Sequence, residues 1–150
     1  MNVEFYGLIF DLPDGWTDIT DDLPQGSPPS LARPVGAGAV QFSVARHGGG
    51  AAPHITLEDL RGFLGDFFAT RGLNFDKVVE RSGSTFSVVS SVFADREMIC
   101  AGYFSNGRDT AFVSYVCVDV DDPELAADIS GVERIFETIR FQASAPGETH

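Results

Sequence analysis

The feature that most constrains the fold is a pattern of period two, typical of strands, in the second half of the chain. It runs through residues 85–93, 98–104 and 110–120, and short turns separate these segments. Successive side chains of a strand point to opposite faces, so this pattern predicts strands, and the short turns predict antiparallel neighbours. The sequence therefore predicts an antiparallel meander, with residues 76–80 as a further short strand.

The turn after Ser105 sets the register of the last two strands. A two-residue Asn-Gly turn places Cys100 opposite Val113. It also places Cys117 opposite Arg96, so the thiols lie about four residues apart and too far apart to bridge. If the loop were four residues longer, the strand register would shift and the two thiols would lie opposite each other. Two cysteines are too few for a disulfide scaffold, which favours buried free thiols.

The first half of the chain predicts further strands. Residues 3–12 form a first strand that ends at the Pro-Asp-Gly turn of residues 13–15, where proline presets φ and glycine accepts a positive φ. Residues 18–30 are polar and proline-rich and predict a loop. Residues 30–34 predict a short edge strand, because an edge tolerates proline. Residues 39–47 alternate and predict a half-buried strand.

Two segments have helical spacing of their apolar residues. Residues 57–71 carry an apolar stripe, and Thr56 with Asp59 resembles a capping box at the start. Residues 124–138 predict a second helix, with Pro123 at its first position. Residues 139–141 then leave as a short extended piece.

This order of elements predicts an α+β fold, an antiparallel sheet of about five to seven strands flanked by two main helices. The length of 150 residues suits one domain, which we assign to residues 1–142. Residues 143–150 read as a flexible tail.

The net charge of −12, from 22 acidic and 10 basic residues, restricts the partners of the chain. Such a chain is repelled by nucleic-acid phosphates and anionic membranes, whereas a basic protein would be attracted to it. The alternative is that the charge serves solubility alone. No apolar run is long enough to span a bilayer and the N-terminus makes a poor signal peptide, so a cytoplasmic protein is expected.

Groups that could carry chemistry are few in the sequence. His47 and His54 flank the Gly-rich residues 48–50, but two histidines make a weak metal site. The serines lack a nucleophile elbow, and the glycines lack the pattern of a phosphate loop. We therefore expect no catalytic residues, no metal and no cofactor.

Two acidic groups and the single tryptophan are the candidate site residues. The first group lies in DLPDGWTDITDD and contains Asp18, Asp21 and Asp22. The second lies in VDVDDPE and contains Asp119, Asp121 and Asp122. These aspartates are candidate contacts to a basic partner, with solvated loop carboxylates as the alternative. Trp16 is expected to anchor the following loop to the core.

The entry FDLPDGW (residues 10–16), the order of elements and the ending ERIFETIRF (residues 133–141) together resemble the PsbP-like fold family. Its bacterial members include DcrB-type lipoproteins and the Eag-type chaperones of type VI secretion effectors. The resemblance implies an α/β/α sandwich that binds proteins. The chain departs from the Eag pattern after the tryptophan, where it reads TDIT.

Two functional hypotheses follow. The first is a bacterial immunity protein that neutralises a cognate, basic toxin domain of a polymorphic or type VI system. The alternative is an Eag-type secretion chaperone, which predicts exposed apolar residues on the sheet and a homodimer, or an uncharacterised PsbP-like interaction domain. Either a monomer or a homodimer fits the sequence. An enzyme or small-ligand protein would instead need a deep pocket holding a carboxylate with a raised pKa.

Overall fold

The computed structural model describes residues 1–47, 53–75 and 77–142 and confirms the predicted α+β class. In chain order the elements are β1 (Asn2–Phe5), β2 (Leu8–Asp11), β3 (Thr17–Asp18), β4 (Ser30–Ala32), β5 (Gly38–Ala45), α1 (Leu57–Thr70), β6 (Val79–Arg81), β7 (Phe86–Ala94), β8 (Glu97–Ser105), β9 (Thr110–Cys117), α2 (Leu125–Thr138) and β10 (Arg140–Phe141). The main sheet is antiparallel with seven strands in the order β3-β4-β5-β9-β8-β7-β6. A second sheet has the order β1-β2-β10.

The main sheet separates two apolar cores. On one face α1 packs against β7 and β8 and buries Leu60, Leu64 and Phe68. On the other face α2 and the three-stranded sheet cover β5, β8 and β9, around Phe42 and Ile135. Both faces are covered because the strands of the meander carry apolar residues on both sides, which is typical of a central sheet in a sandwich.

The meander is confirmed, but its last turn is longer than predicted. Ser105 pairs with Thr110, so the loop has four residues, 106–109. The Asn106 side chain accepts hydrogen bonds from the backbone N–H groups of Arg108 (3.0 Å) and Asp109 (2.7 Å). This side-chain turn replaces the two-residue turn that the Asn-Gly pair predicts.

The longer loop changes the register of the cysteines. Cys100 lies opposite Tyr115, not Val113, and Cys117 lies opposite Met98, not Arg96. The predicted pairing was therefore wrong by two residues. Both cysteines are free and buried.

The predicted first strand, residues 3–12, is instead a hairpin. Tyr6 (φ 53°) and Gly7 (φ 86°) form a turn with two positive φ angles, and Phe5 pairs with Leu8. Such turns match the twist of a hairpin. The continuous-strand prediction was wrong because an aromatic residue at a positive φ is rare.

The predicted edge strand, residues 30–34, is shorter and lies one position inside the edge. It is β4, and β3 pairs with its outer side. The Ile19 N–H also donates to the Ser30 carbonyl (3.0 Å), which holds the chain after β3 against β4. The sequence predicts no strand here and places Asp18 in a polar loop, because a strand of two residues has no measurable periodicity.

The strand predicted at residues 76–80 is β6, which covers Val79–Arg81; Asp76 lies outside the described residues. The tail predicted at residues 143–150 also lies outside them.

Both helices are confirmed, with small changes at their starts. The capping box of α1 is formed: Thr56 Oγ1 accepts from Asp59 N (3.2 Å) and Asp59 Oδ2 accepts from Thr56 N (2.9 Å). Helix α2 begins at Leu125, one residue later than expected, after a turn in which Asp122 Oδ1 accepts from Glu124 N (2.8 Å). Pro123 belongs to that turn.

Candidate functional site

The first acidic group is held on a fixed turn at the β3 edge of the main sheet. Asp18 Oδ1 accepts hydrogen bonds from the backbone N–H (2.9 Å) and hydroxyl (2.6 Å) of Thr20. The Thr20 hydroxyl in turn accepts from the Ser30 N–H of β4 (2.9 Å). Asp21 and Asp22 lie in the single 3-10 turn that follows, and both are exposed. Within the part of the chain that the structure describes, neither of their carboxylates forms an ion pair.

The second acidic group is bound by its own neighbours. Arg96 lies 2.7 Å from Asp119 Oδ1 and 3.1 Å from Asp121 Oδ2. The pKa of Asp119 lies below its ordinary value. The main cause is the hydrogen bond that its carboxylate accepts from the Asp121 N–H, and Arg96 lowers the pKa further. Asp122 caps the turn before α2. These carboxylates therefore serve the β9–α2 connection in the free protein.

The structure does not bring the two acidic groups together. The first lies at β3 and the second follows β9, with β4 and β5 between them. Three strand spacings correspond to about 14 Å. A basic partner would meet two separate acidic patches.

Trp16 lies in the core beside α2. Its side chain is 5% exposed, and it joins the cluster around Phe10 and Ile135. A Cβ on Gly131 would stand 2.5 Å from the indole Nε1, so the indole rests directly on the helix backbone. This packing fixes the chain at the point where the first acidic group begins.

A buried ionic network, missed by the sequence reasoning, lies under the N-terminal half of α2. Asp128 is 0% exposed. Its Oδ1 accepts from Arg33 Nε (2.7 Å), and its Oδ2 accepts from the backbone N–H groups of Ala37 (2.8 Å) and Gly38 (3.1 Å). The hydroxyl of Tyr115 also donates to Oδ2 (2.7 Å). The network ties α2 to the β4–β5 connection and to β9.

The geometry of this network indicates a structural role, because its hydrogen bonds connect α2 to the main sheet. A carboxylate offers about four acceptor positions, and Asp128 uses four. Three of these bonds are made to Oδ2 and one to Oδ1, so donors of this chain occupy most of the carboxylate. Burial, and next the Asp128 carboxylate, raise the pKa of Tyr115 well above its ordinary value, so the phenol stays a donor. The hydrogen bond to Asp128 is the main cause that raises the pKa of Arg33.

One signal in the sequence could have found Asp128. It lies three residues after Leu125 and four before Val132, on the apolar stripe of α2. A carboxylate at such a position is buried, and a buried carboxylate needs a partner.

An apolar groove lies between α2 and the strands β6, β7 and β8, with a volume of about 610 Å³. Its lining is mainly apolar and includes Val79, Val89, Met98, Ile129, Val132 and Phe136. The Cys100 thiol also lines it and accepts a hydrogen bond from the Ser91 hydroxyl (3.1 Å). Burial is the main cause that raises the pKa of Cys100, so the thiol stays protonated near neutral pH.

The two histidines noted in the sequence lie beside a part of the chain that the structure does not describe. The His47 backbone N–H donates to Asp109 Oδ1 (2.8 Å), and His54 has a positive φ of 51°. Residues 48–52 between them are not described. Within residues 1–47, 53–75 and 77–142, no group of three or more His, Cys, Asp or Glu side chains is arranged to hold a metal ion.

Neither α1 nor α2, nor any other helix in the described ranges, is long and apolar enough to cross a membrane.

Comparison with known proteins supports the fold alone. No family model matches the chain, and no curated protein matches it. Among solved structures, a protein of Bacteroides thetaiotaomicron VPI-5482 is similar, with a TM-score of 0.55 and 13% sequence identity over 96% of this chain. The match covers 47% of that protein, so the chain spans about half of its length. The resemblance to the PsbP-like family stays a prediction.

Proposed function

We propose that this chain is a non-catalytic protein-binding domain, and that it acts as a bacterial immunity protein that neutralises a basic toxin domain. The observation that carries the proposal is the state of the first acidic group. Asp21 and Asp22 are exposed, lie on a turn held by hydrogen bonds, and form no ion pair with any described residue. They are available to a cationic partner without the loss of an internal contact.

The whole chain favours the same partner chemistry. A net charge of −12 raises the local concentration of a basic protein and increases its association rate. A toxin that binds nucleic-acid phosphates has a basic cleft of this kind. Acidic side chains placed in that cleft would occupy the positions of phosphates.

The two acidic groups are expected to contribute unequally. Asp119 and Asp121 already share Arg96 at 2.7 and 3.1 Å. A partner cation would compete with that guanidinium, so part of its attraction would be offset. Among the described residues, no guanidinium pairs with Asp21 or Asp22. We therefore expect these two aspartates to contribute more to partner binding than Asp119 and Asp121.

Co-expression with the toxic domain encoded immediately upstream tests the proposal. The wild-type chain is expected to restore growth. If the toxic domain kills equally well with and without this chain, the immunity function is wrong.

A matched pair of variants then tests the surface. Asp21→Asn with Asp22→Asn, and Glu133→Gln with Glu137→Gln, each remove two negative charges, so both change the net charge from −12 to −10. The aspartate pair should weaken binding to the toxic domain more than the glutamate pair. Equal weakening would mean that overall charge, and not this turn, recognises the partner.

The chaperone alternative also stays a prediction and differs in its expected oligomeric state. It requires a homodimer, whereas an immunity protein can act as a monomer. Light scattering at several protein concentrations separates the two, and a monomer throughout would count against the chaperone.

A further inference from the structure

The apolar groove beside β6 is a surface that the proposed function does not use. Helix α2 packs against β2 and β5 and leaves part of β7 uncovered on the same side of the main sheet. Val79 is 71% exposed and Phe93 is 65% exposed. Val79 pairs with Val89 and Phe93 with Met98, so these side chains share the face that α2 leaves open. Such exposed apolar surface around a groove is typical of an interaction site.

One wall of this groove is negatively charged. Glu133 and Glu137 lie one helical turn apart on α2, both line the groove and both are exposed. In the described ranges, neither carboxylate forms an ion pair. Two free carboxylates at this spacing match cationic side chains spaced one turn apart on a facing helix.

On the opposite wall, the cationic side chain among the described lining residues is Arg81, and its donors are bound elsewhere. The Arg81 guanidinium donates to the carbonyls of Phe136 (3.0 Å) and Glu137 (2.6 Å), and to that of Ile139. All three acceptors belong to the end of α2. Within the described ranges the guanidinium therefore serves that helix end and forms no ion pair with Glu133 or Glu137.

We propose that the groove binds a cationic amphipathic segment of a partner protein. Its apolar side chains would cover the groove floor, and its lysines or arginines would contact Glu133 and Glu137. An anionic amphiphile such as a fatty acid would be repelled by the two carboxylates. A second copy of this chain is disfavoured as the occupant, because two molecules of charge −12 repel each other.

This surface is distinct from the proposed toxin-binding turn. The groove borders β6 and the first acidic group borders β3, the two opposite edges of the main sheet. Six strand spacings, about 29 Å, separate the two edge strands. The α2 wall of the groove lies nearer the turn, because Glu133 and Glu137 also line a cavity with Asp14 and Trp16. Asp21 and Asp22 line neither cavity, so either site can fail without the other.

Fluorescence anisotropy with a labelled synthetic peptide tests the proposal on the full chain. The probe is a helix of about four turns with leucine on one face and lysine on the other. The control peptide carries glutamate in place of lysine. The lysine peptide is expected to bind, and the glutamate peptide to bind at least about tenfold more weakly, because its charge repels that of the rim. If the lysine peptide does not bind, the proposal is overturned.

Variants distinguish the groove from general charge attraction. Glu133→Gln with Glu137→Gln should weaken binding of the lysine peptide about fivefold, the loss of two exposed ion pairs. Asp21→Asn with Asp22→Asn removes the same charge from side chains that do not line the groove, and it should change binding less than about twofold because salt screens charges that do not touch the peptide. Equal weakening by both pairs would overturn the proposal.

A third variant tests the apolar floor without a change in charge. Val79→Ser alters a mostly exposed side chain, so the fold should persist. The substitution should weaken binding of the lysine peptide by a few-fold. Unchanged affinity of this variant would contradict insertion of apolar side chains into the groove.

Discussion

Asp128 is the buried charged side chain through which α2 contacts β9 and the β4–β5 connection. It is fully buried, it faces Arg33 at 2.7 Å, and three further donors complete its shell. A buried carboxylate with a complete shell is tolerated, but loss of its charge leaves the partner unpaired. The residue therefore connects the helix to the sheet.

Asp128→Asn should lower the free energy of unfolding by about 3 kcal/mol, because Arg33 would stay largely buried with only the more exposed Glu124 as its carboxylate partner. Urea denaturation measures the change. The control is Glu124→Gln, which removes the more exposed partner of Arg33 and should cost about 0.5 kcal/mol. Equal losses in the two variants would contradict the structural role of Asp128.

Because of Tyr115, the free energy of unfolding should depend on pH in the alkaline range. Its pKa is raised in the folded chain, so above about pH 10 the unfolded chain loses a proton that the folded chain keeps. Stability should then fall with rising pH, by up to about 1.4 kcal/mol per pH unit for this one group.

Tyr115→Phe should lose about 1–2 kcal/mol near neutral pH, because Asp128 loses a donor. Between about pH 10 and 11 its stability should fall less steeply than that of the wild type. Denaturation curves over this pH range measure both effects. The same slope in both proteins would show that Tyr115 does not titrate in this way.

At the scale of elements, the C-terminal end of α2 is held by Arg81, a residue of the edge strand β6. Arg81 of β6 donates to three carbonyls at that end, which have no partners inside the helix. Burial lowers the pKa of Arg81, although arginine stays charged at all ordinary pH values. This contact joins β6, α2 and β10.

Arg81→Gln should speed hydrogen exchange at the end of α2 and in β10, and should cost about 2 kcal/mol in global stability. Arg140→Gln is the matched control, because Arg140 contacts a single carbonyl, that of Thr138, at 3.3 Å on the surface. We expect little change in the control. Equal exchange in both variants would contradict the capping role of Arg81.

Gly131 and Gly62 test the packing of Trp16 on α2. Alanine is favoured over glycine inside a helix by about 1 kcal/mol. At Gly62 of α1 a Cβ meets nothing within 4 Å, so Gly62→Ala should stabilise the chain. At Gly131 it would clash with the indole, so Gly131→Ala should destabilise by about 1–3 kcal/mol. Denaturation followed by the fluorescence of this single tryptophan reports both, and stabilisation by Gly131→Ala would refute the contact.

The sequence predicts those elements whose signals are local. The strands and turns of residues 85–120 and the Thr56 capping box are set within a few positions, and both are present in the fold, although β8 is buried on both faces. The Tyr6 turn was missed because it contradicts the usual preference of an aromatic residue. The contact of Arg33 with Asp128 joins residues 95 positions apart, so no local pattern could identify the pair.

The candidate site was predictable to a different degree. The positions of the acidic residues were evident from the sequence, but their pairing was not. Whether Asp119 is bound to Arg96, or Asp21 is left without an ion pair among the described residues, depends on how the strands place distant loops. The groove at β6 depends on where α2 packs, which helical spacing alone does not determine.

At the scale of the whole molecule, the main sheet carries two different surfaces at its two edges. The β3 edge bears exposed carboxylates on a fixed turn, and the β6 edge borders an apolar groove with a charged rim. The cores between them are closed by α1 on one face and by α2 with the small sheet on the other. This arrangement suits a domain that binds proteins through its edges while its interior stays intact.

The central claim is that the turn holding Asp21 and Asp22 recognises a basic protein partner. The association rate with the upstream-encoded toxic domain, measured by stopped flow for the wild type and for Asp21→Asn with Asp22→Asn, tests it most directly. At low salt the variant should associate about two- to fivefold more slowly, and at about 0.5 M salt the rates should converge because the charges are screened. An association rate that is unchanged at low salt, or that falls equally in Glu133→Gln with Glu137→Gln, would contradict the claim.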